Sequence, residues 1–451
     1  MTDALAPGRV TNWRRLHPLT PLARGWAGLA IAWVMLMEGG LRNVTQLAAV
    51  VGVLIIGAVV LSWLSWYFTR FRIADDALQL ETGFLARRSR RVPLARLQAV
   101  DVRRPLVARL LGLAELRLEV AGGSSTEARL AYLSDADARR LRAELLARAA
   151  GLRVDAPDAP DAPDAAGAPE APEQIVVEVP PLALLASILL RGGTIVALLV
   201  ALAVVAGSIG FDQFGVVAGA LPFFFYLGSA TVGAFIREFG FTIAMSPDGL
   251  RLRRGLLETR AQTVPPGRVQ AVSIVQPFLW RLKDWVRVDV AVAGYAKGES
   301  EAARSSATLL PVAPRAVAMH VVGLALAGAD PDAVPLRPAP RRARWRAPFQ
   351  WRYLGVGADE ALFVTRYGWL TRTLAAVPHA RTQSVRVTQG PWQRRLALAT
   401  VHVDVTPGPV QADALHRDAV EAREIAEAQV ERARAARGQD RSERWMALPP
   451  R

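Results

Sequence analysis

The stretch "RRVPLARLQAV", Arg90–Val100, decides how this chain is read. Its Val92-Pro93, Arg96 and Gln98 return at the same spacing as Val264-Pro265, Arg268 and Gln270 in "TVPPGRVQAV". They return again as Val377-Pro378, Arg381 and Gln383 in "AVPHARTQSV". Proline has no N–H to give a strand ladder, so Pro93, Pro265 and Pro378 each end a strand. The residues behind them turn, and the Gln enters the next strand. Two roles stand open for the polar pair. Arg and Gln satisfy backbone carbonyls at a corner, or Arg96, Arg268 and Arg381 face an anionic headgroup or a partner carboxylate. One corner built three times accounts for the recurrence.

The motif sits inside a longer repeat. From Thr69 the first copy runs "TRFRIADDALQLETGFLARRSRRVPLARLQAVDVRRPLVARLLGLAELRLEVAGG". Alternating apolar and polar residues predict strands over 69–73, 77–82, 86–92 and 98–103. Asp75-Asp76 and Gly83 supply turns. A short helical turn near Leu106–Leu111 follows, then strands over Ala114–Val120 and 127–132. Ser134-x-x-Asp137 resembles a capping box opening a helix to about Ala150. In the second copy Gly255 replaces Gly83, and Pro277 and Arg281 replace Pro105 and Arg109. In the third, Gly368 fills the turn, Arg394 matches Arg109, and Pro391 is displaced by one position. Gln411–Gly438 reads as a charged closing helix.

Composition points to a bilayer. Hydrophobic residues make up 52% of the 451, while charged residues still make up 21%. That mixture suits an integral membrane protein with large polar domains. Four apolar runs stand out: Gly25–Leu41, Leu47–Phe68, Leu182–Phe211 and Phe214–Ile236. They form two hairpins. Arg191 interrupts the third run, leaving Gly192–Phe211, about 30 Å of helix, to match a bilayer core. Arg191 then snorkels at an interface, and Trp63, Trp66 and Tyr67 resemble an aromatic belt. Arginines gather at Arg9, Arg14, Arg15, Arg24, Arg70, Arg72 and Arg237, whereas the outer loops hold only Arg42 and Asp212. The positive-inside rule places both termini and every polar domain in the cytoplasm.

The formal net charge of +15 favours anionic partners. Arg87, Arg88, Arg90 and Arg91 form the leading candidate surface, just beyond the second span. Arg253, Arg254 and Arg260 make a weaker counterpart. Arg341, Arg342 and Arg344, with Arg346 and Trp345 nearby, make another before the last domain. With no cysteine in the chain, disulfides, thiolate zinc sites and cysteine nucleophiles are excluded. His17, His320, His379, His402 and His416 make no i, i+4 ligand pair, and no phosphate loop or nucleophile elbow occurs. His402 and Asp404 alternate on one strand face, the nearest approach to a His/Asp site. Few charges enter the spans, which argues against a transporter protomer. The expectation is a protein with no enzymatic activity, cofactor or metal.

Six or seven short strands closed by a helix, written three times around paired spans, resemble the bacterial PH-domain membrane proteins of the YdbT-like family. The opening "RRLHPLTPLARG", Arg14–Gly25, is also similar to that family's N-terminus. The resemblance implies a pleckstrin-homology-like fold: four transmembrane helices in two hairpins with three cytoplasmic PH-like domains, each a small antiparallel barrel plus helix. The expected order is an N-terminal segment 1–23, hairpin 24–68, domain 69–151 and acidic Pro/Ala-rich linker 152–180. Hairpin 181–236, domain 237–328, Pro/Arg-rich linker 329–346, domain 347–438 and tail 439–451 complete it. The expected role is a scaffold in the inner (plasma) membrane, or else an accessory subunit of a transport system. Its partners would be anionic headgroups and, by the resemblance, a paired PH-domain membrane protein in a homo- or hetero-oligomer, with no nucleic acid.

Overall fold

The computed structural model describes residues 66–74, 77–82, 88–93, 97–120, 127–149, 174–210, 214–246, 249–264, 267–292 and 307–439, with isolated positions nearer the N-terminus. Hairpin 24–68 lies almost wholly outside the described residues, as do Arg87, Arg96, Pro265, most of the acidic linker and the tail after Gln439. The chain divides into two compact units. One is Met1–Pro169 with Glu258–Ala261; the other is Glu170–Leu257 with Gln262–Arg451.

In the first unit, β1 (Arg14–Arg15), β2 (Arg70–Ala74), β3 (Ala77–Thr82) and β4 (Arg88–Pro93) form an antiparallel sheet in that order. After the motif come β5 (Leu97–Arg104), α1 (Leu106–Leu110), β6 (Leu113–Val120) and β7 (Glu127–Ser134), and α2 (Asp135–Ala149) closes the repeat. Period-2 alternation sends Phe71, Ile73, Leu78 and Leu80 from one sheet, and Val100, Val102, Leu116 and Leu118 from the other, into a single core against Leu141 and Leu145 of the helix. Ser134 caps that helix, its Oγ accepting from the Asp137 N–H at 3.1 Å. Residues Thr259–Ala261 of β11 (Thr259–Val264) complete this unit, pairing antiparallel with Val102–Arg104.

The second unit repeats the plan twice. β8 (Gln174–Glu178), β9 (Thr242–Ser246) and β10 (Gly249–Arg254) are neighbours, with the helices α3 (Pro181–Leu189), α4 (Gly192–Gly210) and α5 (Phe214–Glu238) between β8 and β9. β12 (Val269–Pro277), β13 (Trp285–Val292), β14 (Thr308–Pro314) and α6 (Arg315–Ala325) finish the second repeat. The third has β15 (Arg337–Pro338), β16 (Gly355–Ala358), β17 (Leu362–Tyr367) and β18 (Thr371–Pro378). It continues with β19 (Ser384–Thr388), α7 (Pro391–Arg395), β20 (Leu398–Asp404), β21 (Ala412–Asp418) and α8 (Ala419–Gln439). Gly368, at φ 91°, makes the β17–β18 turn; a Cβ there would meet the Thr371 carbonyl oxygen.

The repeats are not closed separately. β12 pairs with β13 on one edge and with β18 of the next repeat on the other. The result is one seven-stranded sheet, ordered β14-β13-β12-β18-β17-β16-β15. The expected helix over Gln411–Gly438 starts later than predicted. Ala412–Asp418 is a strand, because its alternation buries Ala412, Ala414 and His416 against β20.

Among the described residues no single helix is long and apolar enough to cross a membrane. The bent pair Pro181–Leu189 and Gly192–Ser208, kinked by 61°, meets the length and composition requirement together. The kink falls at the Arg191 interruption.

Candidate functional site

The second unit joins its helices to its sheets through buried polar bonds. Pro181 starts α3 at the first helical turn, where a missing N–H costs nothing. Leu184, Ser187 and Ile188 are buried, while Leu182, Leu185 and Leu189 are exposed on another face of the helix. The indole of Trp280, itself buried, donates to the Ser187 carbonyl at 3.1 Å. Trp280 lies in the short 3₁₀ helix Phe278–Lys283 that follows β12.

A charge network stands beside this joint. Arg191, at the kink, donates to Glu238 Oε2 at 3.3 Å, and Arg287 Nη1 donates to Glu238 Oε1 at 3.0 Å. Arg287 Nε also reaches Asp289 Oδ1 at 2.9 Å. Burial opposes the Arg287 charge, yet Asp289 and Glu238 hold its guanidinium above its ordinary value. Arg254 is buried too, donating to the Thr308 carbonyl at 3.4 Å and Gln262 Oε1 at 3.3 Å. The sequence suggested Arg253, Arg254 and Arg260 as a surface cluster. Arg253 alone of the three is exposed; Arg254 points inward because β10 turns alternate residues to the core. Arg260 pairs with Glu258 at 2.9 Å, and both that arginine and Arg103 hold the Glu258 carboxyl, against the effect of burial, below its usual range. Sequence reading missed Glu238 and Arg287. The only available signal was an acid directly following an apolar span.

On the outside of the same region lies an apolar and basic surface. Phe278 is 57% exposed and Leu282 85%. Arg281 between them donates to the carbonyls of Trp369 and Leu370, the latter at 3.1 Å, so the 3₁₀ helix is tied to the β17–β18 turn. Trp369 and Leu370 are themselves exposed, and Phe349 stacks on Trp369 with ring centroids 5.5 Å apart. In the first unit α1 displays Leu106 and Leu110 at the corresponding place, and the third repeat displays Trp392. Arg109, Arg281 and Arg394, matched by sequence, therefore lie on short helices with exposed apolar neighbours.

Two of the motif prolines close strands. Pro93 ends β4 and Pro378 ends β18. Gln270 is buried; its Nε2 donates to the Arg268 carbonyl at 3.2 Å, and its Oε1 accepts from Thr406 Oγ1 at 3.4 Å. Gln383 donates to that same Thr406 hydroxyl at 3.1 Å. The second and third motifs thus meet at one side chain. Arg268 and Arg381 are half-buried. Arg88 and Arg90 lie on β4 and Gln98 on β5, while Arg91 and Pro93 are exposed.

The remaining candidates are dispersed. Arg341, Arg342 and Arg344 are exposed in the 3₁₀ helix Arg341–Trp345; Arg342 pairs with Asp418, and the Arg344 guanidinium sits 5.2 Å from the Trp345 ring centre. His402 bridges Asp413 and Thr388, each at 2.8 Å. Asp404 instead binds Arg386 with both oxygens, at 2.7 and 2.9 Å, and Ser384 at 2.6 Å. His379, in the third corner, is buried with Nε2 3.1 Å from the Asp359 carbonyl; burial pushes its imidazole below the usual histidine range. Among the described residues no group of three or more His, Cys, Asp or Glu could hold a metal ion.

The chain matches the family model described as bacterial PH domain three times, over residues 27–149, 181–329 and 305–435. It is also similar to the UPF0699 transmembrane protein YdbT of Bacillus subtilis (strain 168), 25% identical over 273 residues. That alignment covers 56% of this chain and 55% of the relative, so the chain matches about half the relative's length.

Proposed function

The chain belongs to the bacterial PH-domain family, and on that premise we propose that it is a non-enzymatic scaffold held in the inner membrane by four helices. Three PH-like domains would stand on the cytoplasmic side and bind anionic lipid and protein partners. One observation carries the reading. The Trp280–Ser187 bond and the Arg191–Glu238–Arg287 network fasten the bent helix pair to the PH-like sheet of the second repeat. A domain bonded this way to an apolar helix pair is held at the bilayer surface. The exposed leucines of α3 and the Phe278, Leu282 and Trp369 surface have the composition of an interfacial layer, and their arginine neighbours suit anionic headgroups. The relative's name as a transmembrane protein supports the membrane location.

Cysteine scanning tests the topology without background, because the chain has no cysteine. In intact cells a membrane-impermeant maleimide should label Asp212→Cys and spare Thr388→Cys until lysis. Labelling of Thr388→Cys in intact cells would overturn the cytoplasmic placement. Extraction of the whole chain by alkaline carbonate would overturn the anchoring.

A further inference from the structure

The repeats are joined by one edge-to-edge pairing made twice in the same register. Between the second and third repeats, Ile274 of β12 lies opposite Leu374 of β18, with Val275 opposite Thr373 and Gln276 opposite Arg372. In the first unit, Val102 of β5 lies opposite Ala261, Arg103 opposite Arg260, and Arg104 opposite Thr259. Counted from the motif, both joints agree. The residue four beyond the Gln faces the residue three before the Val-Pro valine. Register is normally pinned by the facing side chains, yet these side chains differ. What the two joints share is their spacing from the motif.

Each joint uses two kinds of edge. The strand after the motif (β5, β12) offers one, and the strand before the next motif (β11, β18) offers the other. Among the described residues two such edges are left over. β19, the strand after the last motif, is terminal in its sheet, and so is β4, the strand before the first. β12 is buried almost throughout, whereas Ser384, Arg386, Val387 and Thr388 of β19 are all exposed. An unpaired strand edge is a template for another strand.

We propose that β19 of one molecule pairs with β4 of a second copy, repeating the internal joint between chains. This specifies the oligomeric partner within the scaffold reading. The chain itself carries both halves of the joint, so no other protein is needed to supply one. In the shared register Val387 faces Ser89 of the neighbour, Thr388 faces Arg88, and Arg386 faces Arg90. Two arginines opposite one another would repel, but the first joint already holds that arrangement. There Arg103 faces Arg260, and Glu258 binds both. Arg386 sits two residues nearer its motif than Arg103 does, and it is itself bound by a carboxylate, Asp404. The contact is head-to-tail, so it adds copies in series and closes only as a ring.

Disulfide trapping in membranes tests this. Ser89→Cys and Val387→Cys are placed on separate full-length chains with different tags, co-expressed and mildly oxidised. A doubly tagged band at twice the chain mass is expected, present only when both variants are co-expressed. Ile274→Cys/Leu374→Cys within one chain is the positive control at the equivalent register. Closure of the control without the intermolecular band would overturn the proposal. So would a monomeric wild-type chain in sedimentation of the detergent-solubilised protein, or trapping of Val387→Cys solely on a different protein. Carbonate extraction of the same membranes reads the anchoring independently. A chain that leaves the membrane but still cross-links refutes the anchoring alone.

Discussion

The second and third repeats are built from the same strands and the same corner, yet they differ in what surrounds them. β12 has a strand on each side and is largely buried; β19 has one neighbour and is largely exposed. Gln270 is buried and Gln383 is exposed, although both reach Thr406. The principal charges of the second repeat form the interior network around Glu238, while those of the third, Arg386 and Asp404, pair in solvent. One motif therefore has different energetic weight according to whether its sheet edge is covered. A covered edge excludes water, which makes every polar group behind it costly to leave unmatched.

The largest effect should come from Glu238→Gln. It strips the shared carboxylate from Arg191 and Arg287 where both are largely out of water. Removing one partner of a buried pair costs about 3–5 kcal/mol. Thermal unfolding of the solubilised chain should show it as an early transition. A loss under about 1 kcal/mol, the level of an exposed pair, would mean that water reaches the network.

Next in size is the difference between two equivalent glutamines. Gln270→Ala should cost about 1–2 kcal/mol, since it strands the Arg268 carbonyl and one side of Thr406. Gln383→Ala, on the exposed side of that hydroxyl, should stay within about 0.5 kcal/mol. Equal losses would break the comparison. They would also suggest that β19 is covered in the assembled protein.

The smallest effect belongs to Asp404→Asn, at most about 1 kcal/mol and weaker in salt, because the pair is solvated. Bonds from Arg386 and Ser384 hold the Asp404 carboxyl down at about 2. A depressed carboxylate stabilises the fold above its unfolded value, near 4, and that contribution fades as pH falls from about 4 through 2. The variant and the parent should therefore differ at pH 6 and converge near pH 2. A difference that persists at pH 2 would assign the effect to packing.

Much of the fold was legible because periodicity is local. Alternation placed β2 to β7 within a few residues, Ser134 and Asp137 marked the start of α2, and Gly368 marked a turn that only a residue without Cβ can make. Arg191 marked the break between α3 and α4, though not the 61° bend there. The boundary at Ala412 was missed because Ala412–Asp418 reads equally as a charged helix face; only pairing with β20 makes it a strand. The surface at Phe278 and Trp369 was missed for a related reason, since the two residues are 91 positions apart and are linked through Arg281.

The sequence by itself determined the repeat: three corners, their strands, their closing helices and the apolar runs beside them. All of these follow from spacing over a few residues, where backbone geometry and side-chain polarity act directly. The tertiary structure decided which edges are joined, that Arg254 faces inward, that Glu238 is shared by two arginines, and that β19 is left open among the described residues. These depend on which strand lies alongside which. Pairing partners far apart in the chain leave no periodic trace in either strand, because a strand's alternation records which face is buried and not what lies at its edge.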